Sequence, residues 1–263
     1  MSGVRRCKGL TMSVLTIAQN VARETGFNVP SALVGSADEI SVQLLALITA
    51  EASNLSQGII AGRDVAADFY WQALVTRGTI TFVNGTEAYN FPADYNASFL
   101  PQTMWNNTTG RPIIVPLSAR EFEIQKNYLI TSGIDYMVYV YGNQFHFVPL
   151  PSSTDSLVYE YISTYYFRTV TTNVAKAAIT ADSDYTAIDE NLIKLGVKVR
   201  FLQAKGLMPT VGYENAFEYK DYIGAVERAM LKDGAGRPTI SMVDSCDAWW
   251  LAAYTPDSNW PQS

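Results

Sequence analysis

His146 is the one histidine among 263 residues, and any acid–base or metal chemistry that needs an imidazole must use it. A single imidazole excludes zinc sites built on several histidines, and two cysteines as far apart as Cys7 and Cys246 cannot replace them. A Ser-His-Asp triad would also have to use His146. It lies between Phe145 and Phe147 in a run that alternates like a strand, and no G-x-S-x-G elbow occurs anywhere, so it is expected to be a sheet histidine. Paired carboxylates could split a glycosidic bond if one stayed protonated while the other was ionised. Glu121 with Glu123 and Asp182 with Asp184 are candidates, but such doublets are common on exposed helices and loops. The run ADSD at 181–184 lacks the spaced ligands, glycine and terminal glutamate of a calcium loop. No P-loop or dinucleotide fingerprint occurs either. The expectation is no catalytic group, no cofactor and no metal.

The elements that would position these residues change character twice. Val14, Ile17, Val21 and Ala22 recur at helical spacing, and Gly26 followed by Pro30 stops the helix. Ser36 three residues before Glu39 fits a capping box, and Ile40, Leu44, Leu47 and Ile48 line a second helix reaching about Glu51 to Leu55. A third helical stretch is expected to end near Trp71 to Leu74. From Gly78 the period becomes two: GTITFVNGTEAYNFP alternates, and Asn84-Gly85 suits a tight hairpin. After Pro92 an irregular, aromatic-containing loop is expected through Trp105 and Gly110, then a capped helix from about Ala119 to Tyr128 behind Ser118. In the next strand Tyr136, Val138 and Val140 face one way and Met137, Tyr139 and Tyr141 the other. Gly142-Asn143 makes a turn into QFHFVPL, and SLVYEYISTYYF adds another alternating run. Helices return with the stripe Ile188, Leu192, Leu195, Val199 and Leu202, which ends at Gly206. The last helix carries Ala216, Tyr219, Ile223, Val226 and Met230 and is closed by Gly234. Lys194, Lys198, Arg200 and Lys205 read as a solvated helix face with cations towards its C-terminus.

These segments predict an α+β fold. A helical bundle domain is built from N- and C-terminal helices, with an inserted β-sheet or barrel-like domain and an extended C-terminal tail. The expected boundaries are a flexible leader at 1–12, helical halves at 13–75 and 171–235, the β insertion at 76–170, and the tail at 236–263.

Bulk composition narrows the function. With 25 acidic against 19 basic side chains the net charge is -6, which argues against affinity gained by neutralising nucleic-acid phosphates. Both cysteines are expected as free thiols in a reducing cytoplasm. The first residues lack a cleavage site, and no run approaches the roughly 18 apolar residues of a membrane span. Without an export signal, the Asn-x-Ser/Thr triplets at Asn54, Asn84, Asn96, Asn106 and Asn107 carry no weight. The tail holds a cluster of Trp249, Trp250, Leu251, Tyr254 and Trp260 among Pro256 and Pro261. Trp supplies much buried area for few rotatable bonds, so the cluster is expected to dock on its own chain, a neighbouring subunit or another protein.

The segments DEISVQLLALITAEASNL, FYWQALVTRGTITFVNGTEAYNFPADY, MWNNTTGRPIIVPLSAREFE, GNQFHFVPLP, VYEYIS and DENLIKLGVKVRFLQAKGL together resemble the head-to-tail adaptor, or head-completion, proteins of short-tailed bacteriophages. The likeness runs over about residues 13 to 240. It implies a structural virion protein of the neck, assembled in the host cytoplasm, with a helical domain and a projecting β domain. It also implies a ring of about twelve subunits between the portal and a tail tube or nozzle, through which double-stranded DNA passes without specific binding. A C-terminal extension that climbs onto the portal would give the Trp249, Trp250, Leu251, Tyr254 and Trp260 cluster its partner. Two competing readings are a peptidoglycan-acting hydrolase and a carbohydrate-binding module.

Overall fold

A computed structural model describes residues 12–60, 63–64, 69–115, 118–127, 135–152, 154–208 and 216–235. Cys7, Cys246, the expected leader up to residue 11 and the tail cluster lie outside the described residues. The chain divides into two compact units, residues 1–223 and 224–263, and the boundary falls inside the last helix.

Helix α1 (Val14–Thr25) starts where the Ser13 hydroxyl accepts the Thr16 N–H at 3.2 Å. Val14, Ile17, Ala18, Val21 and Ala22 are buried on one stripe, and Gly26 ends the helix at φ 76°. Helix α2 (Glu39–Ser56) is capped by Asp38, whose carboxylate accepts from the Ser41 N–H and hydroxyl, each at 3.0 Å. The expected capping serine, Ser36, instead accepts the Asp38 N–H, because the acid directly before the helix reaches its free N–H groups better. Where a third helix was expected, β1 (Ile59–Ile60) pairs antiparallel with β2 (Arg63–Asp64), and the helical structure among the described residues there is a 3-10 turn at Gln72–Leu74. Trp71 is buried there and donates its indole N–H to the Leu55 carbonyl at 2.7 Å.

The β insertion contains β3 (Val75–Thr81), β4 (Ala88–Asn90), β5 (Tyr95–Asn106), β6 (Arg111–Pro112), helix α3 (Ala119–Asn127), β7 (Met137–Tyr141), β8 (Gln144–Val148) and β9 (Ser156–Ser163). Two antiparallel sheets, ordered β3-β9-β5-β6 and β4-β8-β7, are joined by a parallel bridge from Ile114 to Met137. The strands therefore form one ribbon, β3-β9-β5-β6, then Ile114, then β7-β8-β4, curled around a core of Ile80, Phe82, Met104, Val138, Phe145, Phe147 and Tyr159. Gly78 lies so close under the Tyr159 ring that a Cβ there would sit 2.5 Å from it, which is why the strand needs glycine at that point.

Two strand expectations are corrected. Asn84-Gly85 makes a turn, closed by the Thr86 N–H to the Val83 carbonyl at 3.0 Å, but β3 and β4 do not pair: β3 joins β9 and β4 joins β8. The turn carries the chain from one sheet to the other. The expected loop around Trp105 is mostly the twelve-residue β5, whose register against β9 shifts between Tyr95 and Phe99 and again between Leu100 and Trp105. These irregularities, with Pro101 inside the second, erase the period-two signal.

Three short strands follow, β10 (Phe167–Arg168), β11 (Ala175–Lys176) and β12 (Tyr185–Thr186), then α4 (Glu190–Ala204) and α5 (Phe217–Ala235). N- and C-terminal helices pack together: α1 meets α2 and α4, α2 meets α4, and Tyr222 in the first part of α5 bonds Glu51 of α2.

Candidate functional site

His146 sits on β8, buried, with its ring stacked on Tyr141 at a centroid distance of 3.7 Å and 12° between planes. Its Nδ1 lies 3.7 Å from a Glu87 oxygen, and both Glu87 oxygens accept from Lys126 of α3 at 2.7 and 2.9 Å. That carboxylate holds the Lys126 ammonium above the ordinary lysine range. Phe122 of α3 stacks on Tyr139 at 5.4 Å. The group fastens α3 against β7 and β8. Glu121 and Glu123 are exposed on α3, which Ser118 caps through the Glu121 N–H at 3.3 Å.

The acids at 182 and 184 are fastenings as well. Asp182 accepts the Leu33 and Val34 N–H groups at 3.1 and 2.8 Å, closing the loop between α1 and α2. Asp184, wholly buried, accepts Lys176 Nζ at 2.6 Å and the Thr180 and Ala181 N–H groups at 2.8 and 3.0 Å. Its carbonyl takes the first N–H of α1, from Val14, at 2.7 Å. Burial pushes the Asp184 carboxyl up, but the Lys176 ammonium and the two amides outweigh it and leave the acid below the ordinary aspartate range. Glu24 is lowered by the same contest, burial against Lys194 and Lys198. A depressed folded pKa stabilises the fold above the unfolded value and loses that contribution as pH falls through the folded one. Stability against urea should therefore decline as pH drops below about 4, and Asp184→Asn should flatten that decline. An unchanged pH slope in Asp184→Asn would show that the paired carboxylate does not contribute to stability through its ionisation.

The basic helix face is corrected. Lys194 and Lys198 both pair with Glu24 of α1 at 3.2 Å, and Lys205 lies over the Phe27 and Phe201 rings at 5.9 and 5.5 Å. Arg200 pairs with Glu51, which is 1% exposed and also accepts the Tyr222 hydroxyl. Burial and the Glu51 carboxylate raise the Tyr222 pKa. Gly196 faces the same carboxylate so closely that a Cβ would overlap it. The cations of α4 are thus drawn inward to α1 and α2 because that helix is buried on two sides, with Ile193, Val197 and Phe201 covered in addition to Leu192 and Val199. Glu51 was missed by sequence reasoning. It falls in phase with the buried Leu44, Ile48, Ala52 and Leu55, and an acid on an apolar stripe demands a partner.

Another corner is built on Asp94, in the turn before β5. Its carboxylate accepts the Tyr161 and Ser163 hydroxyls at 2.8 and 2.5 Å, and its carbonyl takes the Thr164 N–H at 2.7 Å. Burial raises the Tyr161 pKa and Asp94 adds to it, and burial with the Asp94 charge takes Tyr159 to about 12. Tyr161 is thereby kept a neutral donor to Asp94. What the described surface offers to partners is apolar and scattered over loops and helix ends. Val83 and Leu150 are exposed on two loops tied by the Gly85 N–H and Pro151 carbonyl at 2.9 Å. Val170 and Val174 flank the turn between β10 and β11, and Phe217, 78% exposed, begins α5.

The family model described as SU10 adaptor protein matches residues 12–240, which takes in every described element. No curated protein matches the chain.

Proposed function

Because the chain belongs to the SU10 adaptor protein family it is a head-to-tail adaptor of the phage neck, and we propose that it works as a closed ring of about twelve copies. The family match over residues 12–240 carries this reading. The family makes portal and tail proteins the partners. In the proposed ring the helices of 13–75 and 171–235 form the base, the β insertion of 76–170 projects from it, and DNA crosses the bore. A net charge of -6 repeated around the ring supports a bore that DNA does not adhere to. Action by docking, with no turnover, is supported by the engagement of Asp182 and Asp184 in structural contacts and by the stacking of His146 on Tyr141. No described helix is long and apolar enough to cross a membrane.

The tail cluster of Trp249, Trp250, Leu251, Tyr254 and Trp260 is proposed to bind the portal. Substituting both Trp249 and Trp250 by Ala should weaken portal capture about tenfold or more while far-UV circular dichroism stays unchanged. Equal capture by the doubly substituted chain would remove the cluster from the interface. Native mass spectrometry of the chain, alone and with portal, reads the ring directly. Persistent monomers in both mixtures, or release of sugar from cell walls by the monomer, would overturn the reading.

A further inference from the structure

The β ribbon has two ends, and the fold finishes them differently. β4 presents only three residues, and β7 is covered by the bridge to Ile114. β3 runs seven residues, pairs with β9 along its whole length without a register shift, and has no hydrogen bond from its outer edge to any described residue. Folded proteins guard such an edge with proline, lysine, a bulge or a covering segment. Val75–Thr81 holds no proline, no lysine and no bulge. Apart from Gly78 and Arg77 every residue is β-branched, and Arg77 is the one charge. The side chains themselves are settled, Ile80 inward and Arg77, Thr79 and Thr81 outward, so among the described residues it is the outer main chain of β3 that remains to be paired.

We infer that the outer edge of β3 accepts an extended segment of a neighbouring copy of this chain, which adds a strand to the ribbon. Alternating N–H and C=O groups along an edge are matched by an extended polypeptide, which fixes the chemistry of the occupant. A ring of identical chains joins two unlike surfaces of the same polypeptide, so an acceptor edge on one copy meets a donor on the next. The lone Arg77 suits a donor from a chain in which acids outnumber bases 25 to 19. The inference rests on the ring reading above.

Hydrogen–deuterium exchange of the full chain, compared below and above its assembly concentration and with portal added, tests it. Peptides covering Val75–Thr81 should exchange about tenfold more slowly once copies associate, while β9, already paired on both sides, should not change. Thr79→Lys combined with Thr81→Lys, both at exposed positions, should leave the circular dichroism intact and weaken self-association about tenfold. Assembly with β3 exchanging as in the single chain, or unimpaired assembly of the lysine variant, overturns this inference and leaves the ring standing. Protection absent from the assembled ring and gained only when portal is added to that ring assigns the edge to the portal and overturns the second copy as occupant. A chain that stays single with and without portal overturns the ring and this inference with it.

Discussion

Glu51→Ala should destabilise the folded chain by about 3 kcal/mol, seen as a lower urea midpoint with an unchanged slope. Three helices meet at this carboxylate: α2 supplies it, α4 supplies Arg200, and α5 supplies Tyr222. Truncation leaves the Arg200 guanidinium without its counter-charge and the Tyr222 hydroxyl, which is 1% exposed with its residue, without an acceptor. The penalty combines the lost attraction to Arg200, whose half-buried side chain can still turn to water, with the Tyr222 hydroxyl stranded where water does not reach. Glu51→Gln keeps the shape and an acceptor for Tyr222, so it should lose clearly less. If Ala and Gln cost the same, the charge pairing with Arg200 is the dominant contact and the Tyr222 bond contributes little.

Gly196→Ala should cost roughly 2 kcal/mol in the natural chain and close to nothing in the Glu51→Ala background. The new methyl overlaps the Glu51 carboxylate, and the carboxylate can retreat only by leaving Arg200 or Tyr222. Alanine otherwise favours the helix over glycine by up to about 1 kcal/mol, so removal of the obstacle could make the same substitution neutral. Urea titration of the four chains in a double-mutant cycle measures the coupling. An equal penalty in both backgrounds would mean that Gly196 accommodates something other than Glu51.

The pattern of helix, β insertion and helix was legible because each element announces its period locally. The α1 stripe, the turn at Gly142 and Asn143 (φ 59° and 60°) and the alternation of β7 all stand where the residues predicted them. The same holds for the family, since the quoted segments fall inside the matched residues 12–240. The misses share one cause. β5 is a strand because β9 lies beside it, and its own bulged sequence carries no alternation. The Asn84-Gly85 turn was recognised, but which strands it serves depends on pairing with residues more than fifty positions away.

The candidate site shows the same division. Residue types alone were enough to place His146 in a strand, where β8 holds it. Sequence could not say that Lys194 and Lys198 turn to Glu24, that Arg200 turns to Glu51, or that Asp182 and Asp184 hold down α1 and its loop. A periodicity reports which face of an element is apolar, a property of nearest neighbours along the chain. Which charged group meets which, and which strand edge is left open, depends on elements far apart in sequence being brought within hydrogen-bond reach. Only the folded chain makes that choice.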